Sequence, residues 1–267
     1  MNWLGVDLGG TWLRADGFPP ERMAQRSAAA VMDLLAERAL QGGFGGLAIS
    51  FAGWIDADGR GISAGPNIGW GAEALADYAA AHGLRCHLEN DLDARAWGEW
   101  QALSPEAQRQ GDLMVINAGS GFALGMVIGG QLLRGHHRRA GEVGHLRGAA
   151  RRYPEHSEVD IVEGILGGAF HRPGDLDDEA FKARWLDQAE QTLAPVIAAL
   201  DPAHLIATGG ILDNRPDLLG ALNQRLIQCL PKAWWGTLEL KPSSAGEALA
   251  RRGAVDLAER AVQTENR

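Results

Sequence analysis

The chain has 267 residues, enough for one large domain or two domains sharing a cleft. It is 46% hydrophobic and 22% charged, the composition of a globular protein with a sizeable core. A net charge of −9 argues against a general nucleic-acid binder, two distant cysteines exclude a cysteine-built zinc site, and no apolar run approaches the ~20 residues of a membrane span.

The opening MNWLGVDLGGT lacks a basic segment followed by an apolar one, so it does not read as a signal peptide. With Cys86 and Cys229 too far apart for a disulfide framework, this predicts a cytoplasmic location. Residues 2–8 read as a strand and 11–15 as its returning partner, with Asp7, Gly9, Gly10 and Thr11 at the turn. Glycine brings backbone N–H groups close to a ligand without a Cβ in the way, and such turns suit phosphate oxygens. Asp7 there either orients hydrated Mg²⁺ or caps an ordinary β-turn.

Residues 27–40 show helical periodicity, 47–51 form a strand, and 57–59 a turn. The stretch between 15 and 47 is short enough to lack a strand. Residues 73–81 are helical, and 85–88 form a short strand that ends at Glu89-Asn90-Asp91 before a helix over 92–103. Asn90 and Asp91 are good helix caps. They also stand at a strand's C-terminal end, where α/β folds place ligands. A polar run over 108–112 marks a boundary between halves.

The second half repeats the opening: strand 113–118, turn Gly119-Ser120-Gly121, strand 124–128, turn 129–130, and strand character at 132–133. The turn is a second phosphate loop or a plain hairpin. The basic stretch from Arg134 to Arg139 reads as a solvated loop, although polyanion contact is open to it. Glu142 and His145, three apart in a glycine-flanked loop, suit metal binding, acid–base chemistry or hydroxyl recognition equally. Residues 178–200 are helical, 205–207 a buried strand, Gly209-Gly210 a turn that can admit a flat adenine, and 218–230 and 247–262 helices. Alternating strands and helices give an α/β class. The nine tryptophans read mostly as core, with Trp70 in a loop where it can flank a sugar.

Taken together, GVDLGGTWLRA, GLAISFAGWID with GPNIGW, HLENDLDARAWGEW, NAGSGFALGMVIGGQLLRG, RAGEVGH, HLIATGGI and RRGAVDLAERA resemble, in order and over nearly the whole chain, the ROK family of sugar kinases and repressors. The resemblance implies two actin-like, hexokinase-like (ribonuclease H-like) α/β domains around a central cleft. It divides the chain into 1–108 and 109–246, with the helix 247–267 packing on the first domain. It implies a homodimeric, glucokinase-like enzyme that uses ATP and Mg²⁺ to phosphorylate a hexose or N-acetylhexosamine, at O6. Asp91 is then the general base. Asn67, Asn90, Asp91, Glu142, His145 and Glu163 bind the sugar, with Glu158 as competitor to Glu163. Asp7, Gly9, Gly10, Thr11, Gly119, Ser120, Gly121, Gly209 and Gly210 hold the nucleotide, and Asp7 holds Mg²⁺ through water.

Two departures matter. The family's cysteine zinc motif is replaced after His145 by a cysteine-free stretch, which implies no zinc, and Ala123 stands for a glycine of the second phosphate turn. No DNA-reading helix pair precedes Asp7, which removes the repressor reading. A non-catalytic sugar- or nucleotide-binding relative and a polyphosphate-dependent glucokinase stay open as alternatives.

Overall fold

Runs of buried aliphatic residues make the strands, and the computed structural model describes residues 1–23, 25–65, 67–147, 161–243, 246 and 248–265. Contacts divide the chain into two units: Met1–Leu103 with Leu132–Ala140 and Ala245–Arg267, and Ser104–Gln131 with Gly141–Ser244. The expected division at 108/109 therefore differs from the structure. The first break comes earlier, and residues 132–140 return to unit 1 because their arginines pair there, as described below.

In unit 1, β1 (Trp3–Leu8), β2 (Trp12–Ala15), β3 (Glu21–Arg22), α1 (Ala28–Gln41), β4 (Gly46–Phe51), β5 (Trp54–Ile55), β6 (Ile62–Ala64), α2 (Leu75–Ala81), β7 (Arg85–Asn90) and α3 (Asp91–Ala102) follow in chain order. The sheet runs β3–β2–β1–β4–β7. β1, β4 and β7 are parallel, and β2 returns antiparallel beside β1. β4, apolar except for Ser50, is buried along its whole length between β1 and β7, as a near-continuous hydrophobic run requires. Ser27 caps α1 by accepting a hydrogen bond from Ala30 N at 3.3 Å. α1 then buries Val31, Met32, Leu35 and Ala39 against the core.

The stretch thought too short for a strand does carry one. β3 is two residues long and pairs Arg22 with Trp12 and Glu21 with Leu13. The loop tryptophan Trp70 packs into the core of unit 1. It is 9% exposed, stacks on Phe51 with ring centroids 6.2 Å apart, and donates Nε1–H to Arg26 O at 2.8 Å.

In unit 2, α4 (Pro105–Arg109), β8 (Leu113–Ala118), β9 (Phe122–Ile128), β10 (Gln131–Leu132), α5 (Glu163–Leu166), α6 (Glu179–Leu200), β11 (His204–Thr208), α7 (Gly210–Asn214), α8 (Pro216–Cys229) and β12 (Leu240–Pro242) follow. The sheet runs β10–β9–β8–β11–β12, the same order as in unit 1. β8 pairs antiparallel with β9 and parallel with β11. Asp178 caps α6 by accepting from Phe181 N at 2.7 Å, and α6 seats the fully buried Trp185, whose Nε1–H donates to Leu166 O at 3.2 Å.

The last helix, α9 (Ala248–Glu265), returns to unit 1 and packs on α3. The two helices meet backbone to backbone. A Cβ on Gly253 would collide with Ala94 O, and one on Gly98 with Leu249 O. Among the described residues no helix is long and apolar enough to cross a membrane.

Candidate functional site

In unit 1 the first glycine turn closes through Gly9 N, which donates to Trp12 O at 3.0 Å. Asp7 is half-buried at the end of β1 and lies 3.4 Å from Arg14 Nη1. Thr11 is exposed. Gly10 sits directly against the loop that carries Asn67: a Cβ there would be 2.5 Å from Asn67 O and 3.0 Å from Asn67 Cβ. The turn proposed for phosphate and the residue proposed for sugar are thus neighbours, although 57 positions separate them in the chain.

β7 delivers Asn90 and Asp91 to the start of α3. Asn90 Oδ1 accepts from Leu92 N at 2.9 Å and from Asp93 N at 3.2 Å, and Nδ2 donates to Gly53 O at 3.1 Å. The capping role of Asn90 is therefore real. It ties α3 to the loop after β4 and occupies the amide oxygen twice, leaving one N–H for any ligand. Asp91 Oδ1 accepts from Leu92 N at 2.9 Å, which fixes the carboxylate on the first turn of the helix.

Beside them lies a feature that the sequence did not announce. Glu89 is 0% exposed, and two arginines from residues 132–140 meet it. Arg134 donates from Nε at 2.8 Å and also from Nη2, and Arg138 Nη2 donates at 2.6 Å and reaches Leu88 O at 3.2 Å. Arg139 stacks over Trp54, 5.8 Å from the ring centroid. The solvated-loop reading therefore fails for Arg134 and Arg138, while His136, His137 and Arg139 are exposed as expected. His87 lies below, with Nε2 3.9 Å from Glu89 Oε2. Burial pushes its pKa down to about 4; Glu89 opposes that shift, and Arg134 and Arg138 add to it.

In unit 2 the second glycine turn is held from both sides. Gly119 N donates to Gly121 O at 3.0 Å, while Gly119 O and Ser120 O accept from Gly168 N at 2.8 Å and Ala169 N at 3.0 Å. Glu163 backs the turn: its Oε1 accepts from Phe122 N at 2.8 Å, and a Cβ on Gly121 would collide with that oxygen. The loop of Glu142 and His145 lies along β9, with Leu124 N donating to Gly141 O at 2.9 Å. His145 stands between two carboxylates, with Nε2 3.5 Å from Glu142 Oε2 and Nδ1 3.7 Å from Glu163 Oε2. The structure thus brings Glu142, His145 and Glu163 together around one imidazole that stays part-exposed.

The third turn joins this group. Gly209 has φ 97°, a left-handed value that favours glycine, and a Cβ there would lie 2.7 Å from Asn117 Oδ1. A Cβ on Gly119 would lie 3.6 Å from Gly210 N. Ala123 pairs across the hairpin with Asn117, so the residue replacing the family's glycine is a strand position beside this turn. Glu158 lies outside the described residues, as does most of the cysteine-free stretch. Among the described residues no three His, Cys, Asp or Glu side chains are placed to hold one metal ion. Besides Glu89, the sequence reading missed Ser50 and Thr208, buried hydroxyls beside Asp7 and Asn117 in the strand registers, with no hydrogen-bond partner among the described residues. Their only signal was a polar residue late in an apolar strand.

Residues 4–157 match the ROK family model. The glucokinase of Streptomyces coelicolor is 27% identical over 96% of this chain and 96% of its own. Among solved structures, the ROK hexokinase of Thermus thermophilus superposes with a TM-score of 0.78 at 24% identity, covering 99% of this chain and 100% of its own. A ROK family glucokinase from Streptomyces griseus, solved with glucose and AMPPNP, superposes with a TM-score of 0.71 at 22% identity, covering 96% and 99%.

Proposed function

The chain belongs to the ROK family, and from that premise we propose that it is an ATP-dependent sugar kinase. It transfers the γ-phosphoryl group of ATP to a hydroxyl, O6, of a hexose or N-acetylhexosamine. The observation that carries this reading is that each unit sets a glycine turn against a residue whose side chain suits sugar hydroxyls: Gly10 against the backbone of Asn67, and Gly121 against the carboxylate of Glu163.

Asp91 takes the proton of the attacking hydroxyl, and the capped start of α3 holds its backbone in place. Glu142 and Glu163 accept hydrogen bonds from hydroxyls, and His145 donates or accepts. The turns at 9–11 and 119–121 offer N–H groups to phosphate oxygens, and 209–210 leaves room for the nucleoside. Asp7 is a hard oxygen donor half-buried near a strand end, the chemistry that Mg²⁺ prefers, and the exposed Thr11 hydroxyl is open to phosphate oxygens. Asp7 would hold the ion through water, and the bound ion would offset charge on the phosphates.

Polyphosphate as donor draws less support, because Arg134, Arg138 and Arg139 are engaged within unit 1. The same reading makes the enzyme a zinc-free homodimer of the cytoplasm. Elemental analysis and light scattering check the metal and the oligomer. ADP release measured over glucose, mannose, fructose and their N-acetylamino relatives tests the activity. Strong dependence on one sugar is expected; release that ignores sugar, or none at all, overturns the reading.

A further inference from the structure

Residues 132–140 leave β9 and β10, dock on unit 1, and return at Gly141, directly before Glu142. All their described anchors fall around the proposed sugar residues of unit 1. Arg134 and Arg138 grip Glu89, next in sequence to Asn90 and Asp91. Arg138 also binds Leu88 O, and Arg139 covers Trp54, next to the Gly53 carbonyl that Asn90 holds.

The grip is not a surface ion pair. The Glu89 carboxylate is 0% exposed, and the Arg138 side chain is 16% exposed. Buried carboxylates stay ionised only when charge and hydrogen bonds replace water, and here two guanidiniums do so. Arg138 makes its contacts from φ 54°, a left-handed backbone that a non-glycine residue rarely adopts. Such a conformation persists where surrounding contacts over-determine it.

We propose that residues 132–140 act as a strap, pinned by the Glu89–Arg134–Arg138 cluster, that positions Asn90 and Asp91 for the sugar. Glu89, Arg134 and Arg138 are positioning residues: they act through the end of β7 and the cap of α3. The proposal rests on the sugar-kinase reading for its consequence in catalysis, and on the ion-pair geometry for the strap itself.

The test compares wild type, Glu89→Gln and Arg138→Gly by steady-state kinetics and by hydrogen exchange of residues 88–93 without substrates. Glu89→Gln keeps shape and removes charge. Arg138→Gly relieves the left-handed backbone but removes the grip, so a merely conformational role for Arg138 predicts no loss. The strap predicts that kcat/KM for the sugar falls about 10- to 100-fold in both variants, the scale on which small misplacements act. KM for ATP should stay within about threefold, since the phosphate turns are not part of the cluster, and residues 88–93 should exchange faster.

Folded variants with wild-type sugar kcat/KM, or with sugar and ATP affected equally, overturn the proposal. If Glu89→Gln does not fold, Arg138→Gly decides alone. Wild type without ADP release for any sugar would instead defeat the kinase reading; exchange at 88–93 then decides the strap, with unchanged rates against it.

Discussion

The sheets of the two units share one strand order, yet they differ at the residue two positions before each glycine turn. In unit 1 that residue is Asp7, flanked in register by Arg14 and Ser50. In unit 2 it is Asn117, flanked by Ala123 and Thr208. The buried hydroxyl on the parallel neighbour is common to both, while the carboxylate and its arginine belong to unit 1 alone. The turns are also backed differently. That of unit 1 rests on the backbone of Asn67, and that of unit 2 on the carboxylate of Glu163. Repetition supplied the turn, and divergence around it set what each turn can hold. A carboxylate suits a hydrated cation, whereas backbone N–H groups beside a neutral amide suit phosphate oxygens.

The sharpest way to break this division is to remove the proposed base from unit 1. Asp91→Asn should lower kcat about 10²–10⁴-fold while sugar affinity changes little. Turnover near that of the wild type would reject the role.

The matching change in unit 2 should act on binding. Glu142→Ala and Glu163→Ala should each weaken sugar affinity about 10- to 100-fold in calorimetry and leave ATP affinity nearly unchanged. Glu163→Ala should also lower the melting temperature, because Phe122 N loses its acceptor. Unaltered sugar affinity in both variants would remove unit 2 from sugar recognition and turn attention to Glu158.

Acid should separate the units as well. His87, with its pKa held at about 4 against an ordinary 6.5, stays neutral in the fold while the unfolded chain takes up a proton. Its contribution is complete above pH 6.5 and is lost as pH falls toward 4, the loss reaching about 2 kcal/mol by pH 5. His87→Leu should flatten the decline in stability between pH 6.5 and 5. An unchanged slope would show that His87 is not buried as a neutral ring.

The smallest effect concerns the turns themselves. Gly10→Ala meets a backbone oxygen at 2.5 Å, whereas Gly121→Ala meets the end of a movable side chain. Denaturant titration should find Gly10→Ala the more destabilising of the two by about 1 kcal/mol. The reverse order would mean that the unit 1 loop yields more readily than the Glu163 carboxylate.

Much of this division can be read in the sequence because its signals are local. Apolar runs followed by glycine gave β1, β8 and β11 with their turns, and periodicity gave α1, α3 and α6. What escaped depends on distant partners. β3 is two polar residues that form a strand only because Trp12 and Leu13 lie alongside. β12 ends in Pro242 and survives as a sheet edge. The short hairpin of β5 and β6 carries a register shift that hides its alternation. Glu89 lies 45 and 49 positions from Arg134 and Arg138, so nothing local showed that two members of a basic run would turn inward to it. Glu163 was reached through family resemblance; no spacing rule joins it to His145, and the fold does so by setting α5 against the second turn.

The central claim, that this chain moves the γ-phosphoryl group of ATP to a sugar hydroxyl, is tested most directly by following the phosphorus. Phosphorus NMR of a reaction holding ATP, Mg²⁺ and the preferred sugar should show a sugar phosphomonoester appearing in step with ADP, coupled to the C6 protons, and no such signal with Asp91→Asn. Inorganic phosphate as the sole new signal, or a sugar phosphate formed equally well by Asp91→Asn, would contradict the account.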